Sequence, residues 1–267
     1  MPFTVEEIGY FTSKASFKYE VPRQGVFFRG HPGKIELLPH RGFEEALRDI
    51  EGFERIWVLF LFHRNAGWRP TVRPPVPPID HERVGVFASR SPYRPNPIGI
   101  SCVRLLSVKN LTLNVDEADL LNGTPILDIK PYIPKADAFP EAKSGWVDLQ
   151  NSLEWTVLSS PEFKAQSDWI AAACGWDLQS FAECQLCHSP LDASRRRVRV
   201  DSIRSRAELA FRTFRIAFSF DESRRQIELL QIYSGYSAED LKAGEDIYGD
   251  KPIHRDFLAH FAQMPKA

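Results

Sequence analysis

Along the first 160 residues the apolar positions fall in short runs rich in β-branched and aromatic side chains: Val5–Tyr10, Lys34–Leu38, Arg55–Phe62, Val84–Ala88, Ile98–Leu106, Leu111–Val115 and Ile126–Ile129. Such runs read as strands, and most end at Gly, Pro or Asn, the residues that punctuate turns. Only Phe43–Asp49 has convincing helical spacing, with Gly52 soon after it as a stop. Many short strands and few helices predict a barrel or a sandwich. After about Asn151 the pattern changes. Pro161–Ala173 and Asp177–Cys187 have helical spacing, with Trp169, Ile170 and Ala173 able to share one face. Thr213–Phe220 and Gln226–Tyr233 then alternate apolar and polar around a turn at 221–225, which predicts a hairpin. A last helix is expected over His254–Met264, giving a small α+β region from about residue 160.

Length agrees with two domains, since 267 residues is long for one compact core. A net charge of −1 provides no whole-molecule attraction to polyanions, so any nucleic-acid contact needs a local basic face. The longest apolar stretch, Ile56 to Phe62, is seven residues, far short of a membrane span. The start MPFTVEEIGYF has neither a basic head nor an apolar signal core. Four cysteines in so long a chain do not form a disulfide framework. A cytoplasmic protein with no membrane association is expected.

The densest candidate chemistry lies in Gly85–Ser101, GVFASRSPYRPNPIGIS. Pro92, Pro95 and Pro97 fix φ there and Gly99 permits close backbone approach, so the loop is shaped before a ligand arrives. Arg90 and Arg94 project from it at four-residue spacing, suited to a carboxylate or phosphate. Upstream, segment 70–78 carries five prolines, a stiff connector or the rigid rim of a pocket. Further clusters are Pro22-Arg23-Gln24-Gly25, His63-Arg64-Asn65, and Asp119–Tyr132 with its Asn122-Gly123 turn signal.

Taken in this order and at these intervals, PRQ, FHRN, GVFASRSPYRPNPIGIS and DLLNGTPILDIKPYIPKAD resemble the TsaA-like family, whose bacterial members include the TrmO-like tRNA methyltransferases acting on threonylcarbamoyladenosine-37. The resemblance covers roughly residues 5–150. It implies a single-sheet β-barrel that binds S-adenosylmethionine, placed over 1–158; with the small α+β domain read from the residue pattern over 159–267, a mainly β protein is expected. The absence of a G-x-G-x-x-G loop agrees with a barrel rather than a Rossmann enzyme. Carried over by matching motif, Pro22, Arg23, Gln24, His63, Arg64, Arg90, Ile100, Leu120, Leu121, Asn122 and Gly123 would contact the cofactor, near the interface of a homodimer. The family's turn usually reads DLLDGTP, so Asn122 stands where a carboxylate is usual. The loss matters if that carboxylate touches the cationic cofactor, and little if it only shapes the turn.

The expected reaction is methylation of N6, conjugated to both purine and carbonyl and therefore in need of a base; Asp119, Asp128 and His63 are the candidates, and the sequence does not rank them. The acceptor would be a tRNA anticodon loop, whose unpaired bases stack on aromatics, with Tyr93 as a stacking candidate. In the second domain Arg195, Arg196, Arg197, Arg199, Arg204 and Arg206 form a basic run, read as a phosphate contact or as a solvated face paired with Glu208, Asp221 and Glu222. Cys184, Cys187 and His188, with Cys174, are read as ordinary helical residues, and no metal is expected. Two other functions remain open: a methyltransferase with another acceptor, and a non-catalytic RNA-binding regulator on the same barrel.

Overall fold

The computed structural model describes residues 4–13, 32–74, 83–148, 155–187, 190–191, 197–203 and 205–262. The chain divides into two compact units, 1–152 and 153–267. The mainly β architecture expected from the sequence is borne out.

In the first unit six strands close a barrel: β1 (Gly9–Thr12), β2 (Gly33–Leu37), β3 (Arg55–Leu61), β6 (Ile98–Lys109), β7 (Thr112–Asp116) and β8 (Thr124–Pro131), in ring order β1-β2-β7-β6-β3-β8. Every neighbouring pair is antiparallel. Alternation sends Ile56, Val58 and Phe60 of β3 inward with Val103 and Leu105 of β6, and all five are buried. A short antiparallel pair, β4 (Thr71–Val72) and β5 (Val84–Gly85), stands outside the ring, and a one-turn helix, α2 (Pro134–Asp137), follows β8.

The ring order explains how the ends are stoppered. β2 and β3 lie on opposite sides of the ring, so residues 38–54 must cross one mouth. There Phe43, Leu47 and Ile50 pack on the barrel core. The expected helix Phe43–Asp49 is cut to one turn, α1 (Phe43–Ala46), because Asp49 turns left-handed at φ 67. β7 and β8 are likewise opposite, and residues 117–123 cross the other mouth with Glu117, Ala118 and Leu120 buried. Gly99 faces the Phe60 ring across the β3–β6 pair, where a Cβ would collide with that ring. The close approach foreseen for Gly99 is therefore made by a neighbouring strand.

The second unit is a five-stranded sheet, order β10 (Val198–Asp201), β11 (Arg206–Phe211), β12 (Phe214–Asp221), β13 (Gln226–Ser234), β9 (Thr156–Ser159). β12 and β13 form the expected hairpin, and β9 joins β13 in parallel. Helices α3 (Pro161–Cys174), α4 (Leu178–Leu186) and α6 (Lys251–Phe261) contribute Phe163, Ile170, Phe181 and Phe257 to one core with the inward face of the sheet; a short α5 (Ala238–Lys242) precedes α6. Ser160 caps α3 by accepting from the Phe163 amide, and Gly175 ends it at φ 76. The last helix starts three residues earlier than expected, because Pro252 occupies its first turn. Ala173 is exposed and Trp169 half-buried, so of that trio Ile170 alone is fully buried. Cys174 ends α3, whereas Cys184 and Cys187 lie at the end of α4; His188 falls outside the described residues.

A buried polar network crosses this core. Thr213 Oγ1 donates to Asp250 Oδ2 at 2.7 Å and lies 2.7 Å from His254 Nε2, while His254 Nδ1 is 2.8 Å from Ser234 Oγ. Tyr236 donates to the other Asp250 oxygen at 2.8 Å, and the His254 ring stacks on Phe214 at 3.7 Å. Burial drives the His254 pKa down to about 4, against an opposing pull from Asp250. The folded unit therefore refuses a proton that the unfolded chain accepts below its ordinary value near 6.5. Stability is fully present above that value and falls as pH drops toward 4, by up to about 3 kcal/mol. Denaturant melts of the second unit at pH 7 and pH 4.5 check this; His254→Gln should flatten that part of the pH dependence, and an unchanged slope would refute it.

Candidate functional site

Because all neighbours are antiparallel, β1, β3 and β7 end at the same rim where β2, β6 and β8 begin. Three connections meet there: residues 13–32, 62–97 and 117–123. These connections hold nearly all the residues singled out from the sequence as cofactor contacts, with Ile100 just inside β6. Pro22, Arg23 and Gln24 belong to the first connection but lie outside the described residues.

The crossing segment is the best-defined part of the rim. Ser101, buried on the inward face of β6, donates its hydroxyl to Asp119 Oδ1 and orients that half-buried carboxylate. Just before it, Glu117 accepts from Arg55 Nη2 at 2.7 Å, pinning the start of the crossing to β3. Asn122 Oδ1 accepts from the Ser13 amide at 3.1 Å, and the Gly123 amide donates to the Phe11 carbonyl at 2.8 Å. Gly123 takes φ 78, and a Cβ there would meet open space. The Asn122 side chain thus ties the turn to the end of β1, which a carboxylate oxygen would do equally well. Asn122→Asp is expected to change stability by only a few tenths of a kcal/mol, and Asn122→Ala to cost about 1 kcal/mol; equal melting midpoints for all three proteins would contradict this assignment.

Leu120 is 2% exposed and sits in the barrel core, so only its backbone can face a ligand, whereas Leu121 is half-buried. Ile100 is 50% exposed and points outward opposite Leu59, on the reverse side of β6 from Ser101. His63 and Arg64 are exposed just past β3, where the Phe62 amide donates to Pro97 at 2.7 Å and binds this turn to the start of β6.

The Pro-rich loop divides its two arginines. Arg94 Nη1 donates to the carbonyls of Val86 and Ser89 at 3.1 and 2.7 Å, so this arginine braces its own loop. Arg90 is exposed. Tyr93, half-buried, packs on the Val72, Val84 and Val86 cluster with the Arg69 guanidinium 4.8 Å above its ring. Trp146 joins that cluster and donates Nε1 to Ala88 at 2.9 Å. Phe87 is the aromatic of this loop that faces outward, and Trp68, earlier on the same connection, is also exposed. The connection 62–97 carries six arginines, at 64, 69, 73, 83, 90 and 94, against Asp80 and Glu82. The sequence of this connection is therefore locally basic, as is the arginine run of the second unit.

Of the candidate bases, Asp119 and His63 lie at the rim, whereas Asp128 is on the outer face of β8 opposite Leu59, ion-paired with Lys130 at 2.6 Å. In the second unit Arg197 and Arg199 alternate with the inward Val198, and Arg199 lies directly opposite Glu208; Arg195, Arg196 and Arg204 are outside the described residues. The alternation Arg-Val-Arg-Val over 197–200 was a strand signal that the basic character of the run concealed. Ser101 carried no such signal. A shallow depression is lined by Lys34, Glu44, Lys109, Asn110, Leu111, Thr112 and Asn114, none of them among the site residues singled out above. Among the described residues no helix is long and apolar enough to cross a membrane.

The tRNA-methyltransferase O N-terminal domain family matches residues 10–138. The chain is 39% identical over 170 residues to the tRNA (adenine(37)-N6)-methyltransferase of Escherichia coli (strain K12), spanning 61% of this chain and 72% of that protein. It is 40% identical over 141 residues to a probable S-adenosyl-L-methionine-binding protein of Pyrococcus abyssi (strain GE5 / Orsay), spanning 53% of this chain and 74% of the relative. The crystal structure of TrmO from Pseudomonas aeruginosa superposes with a TM-score of 0.61 at 29% identity, covering 88% of this chain and 100% of that one. With the barrel, the crossing segment and the Pro-rich loop all falling inside the matched region, the chain belongs to the tRNA-methyltransferase O family.

Proposed function

We propose that this protein transfers the methyl group of S-adenosylmethionine to N6 of threonylcarbamoyl-adenosine at position 37 of tRNA. The observation that carries the reading is that the strand ends flanking 13–32, 62–97 and 117–123 share one barrel rim. The residues there suit the cofactor: a guanidinium at Arg90 for its carboxylate, Leu121 for the adenine, a carboxylate at Asp119 among the rim groups, and open space over Gly123. S-adenosylmethionine supplies an electrophilic methyl group on a sulfonium, so the demand on the protein is to position N6 and take its proton.

Asp119 is the base we assign. It stands at the rim, is half-buried, and is held in one orientation by the buried Ser101 hydroxyl. His63, exposed at the start of the 62–97 connection, is the secondary candidate. Arg64 and Arg90 offer charge to the cofactor carboxylate or to RNA phosphate. Pro22, Arg23 and Gln24, together with Ile100, remain part of the proposed pocket, and Arg195, Arg196, Arg197 and Arg199 remain proposed phosphate contacts.

A homodimer is supported by the outer face of the barrel, where Leu59 and Leu61 of β3 lie opposite Ile100 and Ile98 of β6, with both isoleucines exposed. A tRNA acceptor agrees with a cytoplasmic location. The test is transfer of labelled methyl to tRNA carrying threonylcarbamoyl-adenosine, with tRNA lacking that group as control. Label on the modified tRNA alone supports the assignment. Equal labelling of both would make the acceptor plain adenosine, and cofactor binding with no transfer to either would redirect the search to another acceptor.

A further inference from the structure

An exposed hydrophobic side chain is ordinary, so exposure alone assigns nothing. Phe87 differs in how it is held. It is 76% exposed, yet it sits in a single tight turn, Val86–Ala88, whose two flanks are fixed. Val86 is buried, and its amide donates to the Pro70 carbonyl at 3.0 Å. On the other side Ala88 accepts from Trp146 Nε1 at 2.9 Å. Beneath the ring the Arg94 guanidinium lies 5.8 Å from its centroid and is itself anchored to the carbonyls of Val86 and Ser89. The turn thus presents a large aromatic face to solvent with little backbone freedom left to lose on binding. It does so on a connection with six arginines and two carboxylates, three residues before Arg90.

A fixed aromatic within a basic surface is the chemistry that receives single-stranded RNA: cations meet phosphates while a π face accepts an unpaired base. We propose that Phe87 is a stacking platform for one of the unpaired bases beside the target adenine in the anticodon loop. The inference deepens the tRNA reading above and rests on it. Stacking is tolerant of base identity, so Phe87 would fix the depth and orientation of the loop, leaving recognition of the target to the rim groups.

The test is binding of a fluorescent anticodon stem-loop to the full chain, with the base 3′ to the target replaced by 2-aminopurine. Phe87→Ala and Phe87→Leu are expected to weaken binding by roughly 5- to 100-fold and to abolish the quenching of 2-aminopurine that accompanies stacking. Phe87→Trp should retain both binding and quenching, whereas affinity for S-adenosylmethionine stays at the wild-type value in all three. Rescue by leucine would overturn the proposal by showing plain apolar packing, and unchanged binding in Phe87→Ala would overturn it outright. A shift of Phe87→Ala from dimer to monomer in sedimentation would also overturn it, assigning the ring to a contact between copies. Wild-type protein that binds the stem-loop but methylates no tRNA would defeat the enzymatic reading and leave the stacking result standing; wild-type protein that does not bind the stem-loop would defeat both.

Discussion

Asp119→Asn protein is expected to transfer methyl groups roughly 100- to 10,000-fold more slowly than wild type, the usual cost of removing a positioned general base. Asparagine keeps the size of the side chain and an oxygen able to accept from the Ser101 hydroxyl, so the crossing segment should stay in place. The loss should appear in the single-turnover rate rather than in tRNA affinity. Ser101→Ala tests the same arrangement indirectly: it frees the carboxylate to rotate, and should lower the rate less than Asp119→Asn does. If Asp119→Asn retained a rate within threefold of wild type, the base would have to be sought at His63.

The second large effect is expected in the other unit. Asp250 is 2% exposed and receives Thr213 and Tyr236, while Arg212 Nε lies 3.5 Å from its Oδ2. The Arg212 side chain is itself almost fully buried, stacked 4.6 Å from the Trp176 ring and donating to the Tyr248 carbonyl at 2.8 Å. Asp250→Ala would strand that cation and two hydroxyls in a low-dielectric core, at a cost of about 3–5 kcal/mol. Asp250→Asn should cost less, because it still accepts from Tyr236. Burial and the bond to Asp250 push the Tyr236 hydroxyl up to about 12 in the wild type. Chemical denaturation of the second unit followed by Trp176 fluorescence measures the loss, and an Asp250→Ala midpoint equal to wild type would rule out the network as a stabilising element.

Much of the barrel was legible because a half-buried strand leaves a period of two in the sequence. Arg55–Phe62 was placed to within one residue of β3, and the hairpin of β12 and β13 was read with its turn. Val84–Ala88 misled, since its apolar residues serve a satellite cluster and only Val84 and Gly85 pair as a strand. Phe43–Asp49 misled for a different reason: helical spacing persists through Asp49, but backbone sign does not. At the site the sequence located segments and not orientations. Tyr93 and Phe87 are six residues apart on one loop, and nothing in composition says which is buried. Arg90 and Arg94 are chemically equivalent on paper, yet one is exposed and the other is a brace. The pairing of Ser101 with Asp119 arises from a segment crossing the barrel mouth, a fact about ring order that no local pattern encodes.

Ring order also dictates when the barrel can exist at all. β8 is the strand that joins β1 to β3, pairing Gly9–Phe11 with residues more than 110 positions later. Until β8 is available, β1 and β3 each have an unsatisfied edge, the arrangement most prone to pairing with another chain. Contacts so distant in sequence make closure slow compared with the local hairpin of β6 and β7. A nascent chain emerging from the ribosome must therefore keep its first 120 residues open, and a fragment ending before Thr124 should aggregate where one ending after Pro131 can close the ring.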